Sequence, residues 1–149
     1  MLAKAATPQG PWTISRPNLL VTPNLSNWEH NEVSPSSAIW EADNNRWVVW
    51  FHVGNNLGPR QIGVMYSRDQ ALGESFARDG GNPILNPGAA GATDDKSVSD
   101  LKIQRLADGS YLGFYYGRRN GGPSNGVTGA TPASLTKRGE TIAQGLPGA

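Results

Sequence analysis

The sequence predicts an all-β fold made of two consecutive four-stranded antiparallel sheets. Three observations predict it. The chain repeats itself with a period of about 64 residues, its apolar runs are short and rich in β-branched and aromatic residues, and glycine and proline fall between these runs. Nineteen glycines and eleven prolines among 149 residues fit many turns and stay below the ~25–30% typical of low-complexity disorder.

The repeat consists of two pairs of matching segments. NLLVTP at 18–23 returns as NPILNP at 82–87, and residues 33–56 return as residues 98–120. The first copy has one extra residue in its central turn, Asp43-Asn44-Asn45 against Asp108-Gly109, and hairpin turns tolerate such changes of length. A repeat of this period predicts stacked supersecondary units.

Each copy is expected to contain four strands in a meander. The second strands, 46–53 (RWVVWFHV) and 111–117 (YLGFYYG), have the strongest signal because each follows a turn and is rich in aromatic and β-branched residues. We expect first strands at 33–40 and 98–106, third strands at 61–67 and 126–130, and fourth strands near 75–78 and 135–138. Residues 69–77 also contain helix formers, so a short helix interrupted by Gly73 is the alternative there.

The predicted organisation is one β domain over residues 1–149, with a first repeat at about 11–78, a second at 79–140 and a tail at 141–149.

Thirteen basic and twelve acidic residues give a net charge of +1, so no nucleic-acid partner is expected. The absence of cysteine excludes disulfides, thiolate zinc sites and thiol nucleophiles, and leaves the compartment undecided. The sequence has no apolar run of signal-peptide or membrane-spanning length, so we expect a soluble chain without a membrane partner.

Several segments, in order, resemble the blade repeat of the five-bladed β-propeller glycoside hydrolases, a superfamily that includes arabinanases, xylosidases, fructosidases and mannoside phosphorylases. They are NLLVTPNLSNWEHNEVSPSS, RWVVWFHVGN, IGVMYSRD, NPILNPG, VSDLKI and DGSYLGFYYGRRN. The resemblance implies two consecutive four-stranded antiparallel β-propeller-like blades, hence an incomplete propeller. Two blades would leave two apolar faces uncovered. We expect them to be covered by blades outside this chain, by other copies of it, or by face-to-face packing of its own sheets.

The resemblance also implies functional carboxylates on the first strand of each repeat. The family's base aspartate stands just before a proline, where this chain has Ser34 before Pro35, so the catalytic set is expected to be incomplete because a serine cannot serve as that base. Asp100 matches an orienting carboxylate in the second repeat, with a purely structural aspartate as the alternative. Glu32 is the second catalytic candidate.

Four residues are candidates for substrate binding: Trp28, Glu29, Ser34 and Arg118. Trp28, like Trp12, has no equally aromatic counterpart in the other repeat and could stack on a sugar ring. Glu29 matches an acidic loop of the phosphorylase-like members, and Arg118 could bind a hydroxyl or carboxylate. Solvated loop charges are the alternative for Glu29, Glu32 and Arg118.

Other residues are assigned structural roles. The aromatics that recur in both copies are expected in the core: Trp47, Trp50, Phe51, Tyr111, Phe114 and Tyr115. Asp94 and Asp95 are expected in a turn, with cation binding as the alternative, and His30 and His52 are interpreted as non-ligands because their spacing does not suit a metal. No metal and no cofactor are predicted.

Three hypotheses for function follow. The chain is a carbohydrate-binding propeller segment that lacks a complete catalytic set, an active glycosidase or phosphorylase completed by blades outside this chain, or a structural subunit of a larger assembly such as a virion or surface array. Carbohydrate is the expected small partner in the first two. Protein that covers the exposed faces is the expected macromolecular partner.

Overall fold

The computed structural model describes residues 2–16, 22–24, 28–29, 32–54, 58–67, 76–121, 128–133, 136–137 and 140–141. Within these residues the fold is all-β, with one short 3-10 helix and no α-helix. All strand pairs are antiparallel and no sheet closes on itself. No helix in these ranges is long and apolar enough to cross a membrane.

The first repeat forms a four-stranded sheet, here called the first sheet, with the predicted meander order. Its strands are β3 (Val33–Glu41), β4 (Arg46–Val53), β5 (Gln61–Ser67) and β6 (Ala77–Arg78). The alternative helix over 69–77 lies almost wholly outside the described residues. A separate N-terminal hairpin precedes this sheet and consists of β1 (Leu2–Lys4) and β2 (Thr13–Arg16).

The second repeat forms a three-stranded sheet, here called the second sheet. Its strands are β7 (Ser97–Arg105), β8 (Tyr111–Arg118) and β9 (Thr128–Ala133). The expected fourth strand does not join it. Instead β10 (Thr136–Lys137) pairs with β11 (Glu140–Thr141) in a sheet of their own, so the prediction of four strands in this sheet is wrong for the described residues.

The two central turns differ by one residue, as predicted. Residues 42–45 connect β3 to β4 and end at Asn45, which has a φ of 48°. In the second sheet Leu106 N donates to Ser110 O, so residues 107–109 make the turn, and Gly109 has a φ of 86°. Asparagine and glycine are the residues that adopt such left-handed conformations most readily.

Both first strands carry a β-bulge at the same position of the repeat. The register shifts between Pro35 and Ser37 in β3, and between Ser99 and Lys102 in β7. Because residues 33 and 98 are equivalent in the repeat, residues 35–37 correspond to residues 100–102. The repeat therefore extends beyond the hydrophobic pattern to an irregularity of the backbone, and bulges are often found next to functional sites.

The two sheets pack on each other through different faces of the repeat. Residues 48, 50, 62 and 64 of the first sheet meet residues 98, 101, 111 and 115 of the second in one buried cluster. Tyr111 and Tyr115 are the equivalents of Trp47 and Phe51, which point to the opposite side of the first sheet. The sheets are thus stacked head to tail. The first sheet contacts the second through one face of the repeat, and the second sheet contacts the first through the opposite face of the repeat.

The outward face of the first sheet, here called the front face, is covered by its own chain. Val49, Phe51, Val53 and Met65 are buried there, with Trp28 and Phe76 packed against them. On the far side of the second sheet, Phe114 is 43% exposed. The expectation of two uncovered faces is therefore wrong for the front face, and the expectation that Phe114 lies in the core is wrong as well.

Candidate functional site

Three predicted site residues, Glu32, Ser34 and Asp100, converge where the bulges of the two sheets meet. They surround His52, which the sequence predicts to be a non-ligand. We call the group of Glu32, Ser34, His52, Ser99 and Asp100 the bulge site. It lies at the edge of the buried core between the sheets, with its carboxylates partly open to water: the Glu32 and Asp100 side chains are 38% and 55% exposed.

Strand register explains why these side chains meet. Ser34 and His52 are direct partners in the β3–β4 ladder, so both project from the same face of the first sheet, the one turned toward the second sheet. Glu32 immediately precedes β3. Asp100 lies in the β7 bulge with a φ of 54°, a left-handed conformation that aspartate tolerates better than most residues.

The carboxylates of the bulge site lie on opposite edges of the His52 ring. Glu32 Oε1 is 3.8 Å from His52 Nε2, and Asp100 Oδ1 is 3.8 Å from His52 Nδ1. Each carboxylate also accepts a hydrogen bond from a serine: Ser34 Oγ donates to Glu32 at 3.0 Å, and Ser99 Oγ donates to Asp100 at 2.8 Å. Both carboxylates are therefore held in place while keeping solvent-facing oxygen atoms.

His52 is the buried centre of the site, with a side chain only 8% exposed. Burial lowers the pKa of His52 below its usual 6.5, and this effect outweighs the opposing attraction of the Asp100 and Glu32 carboxylates. The backbone N–H of Asp100 points at Nδ1 over 3.4 Å, which makes Nδ1 the acceptor. The neutral ring then carries its proton on Nε2, on the side of Glu32.

Two cations border the site. Arg60 Nη2 lies 4.0 Å from Glu32 Oε2, and Arg60 O accepts a backbone hydrogen bond from Val98 in the second sheet. Lys102 Nζ crosses from the second sheet to donate to Ser36 O in the bulge of the first. The site thus combines two carboxylates, two hydroxyls, a neutral imidazole and two cations within one junction, a set that can both donate and accept hydrogen bonds.

Glu29, a predicted substrate contact, lies in the interior of the protein. Its carboxylate is fully buried and forms a bidentate ion pair with Arg78, whose guanidinium also donates to Thr22 O. Asn24 N donates to the same carboxylate at 2.8 Å. This pair ties the segment before β3 to β6, so the alternative of a solvated loop charge is wrong for Glu29.

Trp28, another predicted contact, packs on the front face. Its ring stacks on Phe51 with centroids 5.8 Å apart and planes 28° apart. A Cβ atom on Gly63 would come within 2.6 Å of the Trp28 ring, so the indole fills the space that a glycine leaves open in β5. Trp28 is thus packed on the front face, whereas Trp12 is 61% exposed.

Arg118, the remaining predicted substrate contact, ends β8 opposite Ser97. Its carbonyl accepts a hydrogen bond from Lys96 N.

Asp95 occupies a turn, as expected: it accepts backbone hydrogen bonds from Asn120 and Gly91, and these bonds lower the pKa of its carboxyl group. Tyr115 Oη donates to the neighbouring Asp94 at 2.6 Å. Among the described residues, no group of three histidine or acidic side chains is arranged to hold a metal ion.

Comparison with known proteins gave no match, whether with protein families, with curated protein sequences or with solved structures.

Proposed function

We propose that the bulge site binds a carbohydrate and that the two sheets are consecutive blades of a propeller-like stack. The observation that carries the proposal is the convergence of Glu32 and Asp100 on either side of His52, at the bulges of two equivalent strands. The two carboxylates come from different repeats, Glu32 from the segment before β3 and Asp100 from β7. The site therefore exists only where two repeats meet.

Two features support blade-like stacking. The sheets contact each other through non-equivalent faces of the repeat, which is the arrangement that lets further units be added in the same sense. In addition, the first strands of the two sheets touch at their bulges, where Lys102 Nζ donates to Ser36 O and Ile103 N donates to Ser37 Oγ. A twofold sandwich would instead bring equivalent faces together.

Hydrogen-bonding chemistry supports a sugar as the ligand. Neighbouring hydroxyl groups of a sugar can donate to a carboxylate and accept from a cation or an imidazole N–H, and charge-assisted bonds of this kind are the stronger ones. Glu32, Asp100 and the Nε2–H of His52 offer these partners, with Arg60 beside Glu32. The carboxylates are already oriented by Ser34 and Ser99, which lowers the cost of ordering them on binding.

A glycan array followed by titration calorimetry with the retained sugars tests the proposal. Glu32→Gln and Asp100→Asn should each weaken binding at least about tenfold, the loss expected for one charge-assisted hydrogen bond. Asp43→Asn is the matched control because Asp43 is 75% exposed and pairs with Arg105 outside the site. Binding that survives both site variants, or a folded chain that retains no sugar, would refute the proposal.

Hydrolysis is the second candidate, favoured by one observation. The Glu32 carboxylate reaches the hydroxyl of Ser34, so a carboxylate does lie beside the position where the resembled family has its base. Glycosidases use two carboxylates that flank the scissile bond, and Glu32 and Asp100 lie on opposite edges of the His52 ring. Turnover of aryl glycosides that both Glu32→Gln and Asp100→Asn abolish would support hydrolysis, while sugar binding without turnover supports binding alone.

A further inference from the structure

The imidazole ring of His52 is buried between the two carboxylates of the bulge site. Its side chain is 8% exposed, and the carboxylates of Glu32 and Asp100 each lie 3.8 Å from one of its two nitrogen atoms. The same carboxylates are the sugar contacts of the carbohydrate proposal. Each of them can therefore serve one of two partners, the ring or a bound sugar.

The contacts of the ring suit its neutral form. The backbone N–H of Asp100 points at His52 Nδ1 over 3.4 Å, and this contact needs the lone pair that Nδ1 has in a neutral imidazole. Protonation would place a hydrogen on Nδ1, so that two N–H donors would face each other. An acceptor is close by, because Oδ1 of the Asp100 carboxylate lies 3.8 Å from the same nitrogen. Protonation therefore favours the side chain of Asp100 over its backbone as the partner of the ring.

Charged groups from three segments of the chain face the ring. Glu32 precedes β3, Arg60 precedes β5, and Asp100 and Lys102 belong to β7. Burial and the two cations favour the neutral ring and lower the pKa of His52, although the two carboxylates oppose this effect. The ring is thus neutral near pH 7 and becomes charged in acid.

We propose that His52 is a proton-operated switch: when its ring is protonated, Glu32 and Asp100 turn onto the imidazolium and the bulge site releases its sugar. A buried imidazolium without a counter-ion is unstable. A movement of about 1 Å brings either carboxylate oxygen to hydrogen-bond distance from the ring. A sugar hydroxyl would then have to displace a charge-assisted bond to reach the same oxygen. This inference rests on the carbohydrate proposal and adds the regulation of the site by pH.

A glycan array probed with the labelled chain at about pH 7.5 and at about pH 5 tests the switch. The chain concentration that half-saturates the retained glycans should rise at least about fivefold at the lower pH, because binding that requires the neutral ring weakens up to tenfold per pH unit once His52 titrates. His52→Gln should lose this pH dependence, whatever its affinity at the higher pH. Glutamine offers one donor and one acceptor, as the neutral ring does, but gains no charge.

Arg60→Gln is the second variant. Removing this cation should raise the pKa of His52, so the loss of glycan binding should move to higher pH. Arg105→Gln is the matched control, because Arg105 pairs with Asp43 outside the site, and its release curve should match that of the wild type. Loss of binding that coincides with loss of the circular dichroism spectrum, or that persists unchanged in folded His52→Gln, would overturn the switch.

Proton NMR gives a readout that needs no sugar. The amide resonance of Asp100 should shift with the same midpoint as the imidazole of His52, because protonation breaks the contact between them. An Asp100 amide that does not respond, or glycan binding that is equal at both pH values, would refute the switch and leave the carbohydrate proposal standing. A chain that retains no glycan at the higher pH would refute the carbohydrate proposal and the switch with it.

Discussion

The two sheets share a hairpin, a bulge and an aromatic pattern, yet equivalent residues have opposite surroundings. Trp50 is buried between the sheets, whereas its equivalent Phe114 is 43% exposed. Phe51 is fully buried on the front face, and its equivalent Tyr115 is buried between the sheets. Equivalent aromatic residues are therefore buried or exposed according to the place of their sheet in the stack, and this place decides which of them contribute to stability.

Polar residues follow the same rule. The junction places Glu41 against Tyr111 and His52 against Asp100, while the equivalents of Glu41 and His52 in the second sheet are Leu106 and Tyr116. The first repeat therefore supplies polar partners to a neighbour that is present. The second repeat has a leucine and a tyrosine at these positions, and Leu106 is 38% exposed.

The strongest test of this comparison is to truncate the two equivalent aromatics. Trp50→Ala should lower the free energy of unfolding by about 3–5 kcal/mol, because it removes a buried indole and leaves a cavity between the sheets. Phe114→Ala should cost about 1 kcal/mol or less, since much of its ring is in water. Urea unfolding measures the free energy of unfolding of both variants. Equal losses would contradict the assignment of different surroundings.

The strands could be predicted because their signals are local. The structure has β4 and β5 at the predicted bounds, since alternating aromatic and β-branched residues between turn residues define both ends. The strand β9 was predicted at 126–130, of which 126 and 127 lie outside the described residues, and it continues beyond the predicted end to Ala133. That segment has mostly small residues and therefore weak periodicity, so the local pattern could not fix its bounds.

The site was only partly predictable because it depends on register and on distant partners. Asp100 and Glu32 were selected through the resemblance, but His52 was missed because only the pairing of Ser34 with His52 turns the ring toward the second sheet. A shift of one residue would point it to the other face. Likewise, Glu29 is buried by an ion pair with Arg78, 49 residues away, and no local pattern shows such a partner.

An intermediate effect is expected at the polar contact between the sheets. Glu41→Leu, which introduces the residue of the second repeat, should cost about 2–3 kcal/mol because the Tyr111 hydroxyl and the Arg46 guanidinium lose a buried acceptor. Adding Tyr111→Phe should recover part of the loss, since it removes one of the stranded donors. Urea unfolding of the two single variants and the double variant gives the coupling, and additive losses would contradict a direct bond.

The same contact should show in acid. Burial acts to raise the pKa of Glu41, but hydrogen bonds from Tyr111, Arg46 and Asn44 outweigh it and hold the pKa below the ordinary 4.5. A carboxylate with a lowered pKa in the folded state stabilises the fold above its unfolded pKa, and this contribution is lost as the pH falls below about 4.5. The stability of Glu41→Leu should therefore decline less steeply in that range than that of the wild type.

The smallest effect concerns His52, which has no titrating histidine as its equivalent in the second sheet. Its pKa is lowered in the folded chain, so between that value and 6.5 the unfolded chain binds the proton more readily. Lowering the pH from about 7 through this window should destabilise the wild type. His52→Gln should remove this part of the pH dependence. The other histidine is present in both chains, so the difference between their melting curves isolates His52.

The neighbours of His52 set the size of this effect and allow a sharper test. Burial is the main cause of the lowered pKa, Asp100 and Glu32 oppose it, and Arg60 and Lys102 reinforce it. Asp100→Asn should therefore lower the pKa of His52 further, and Arg60→Gln should raise it, as measured by the proton NMR titration of the imidazole. A pKa of His52 that does not move in Asp100→Asn would show that the bulges of the two sheets do not meet around this ring.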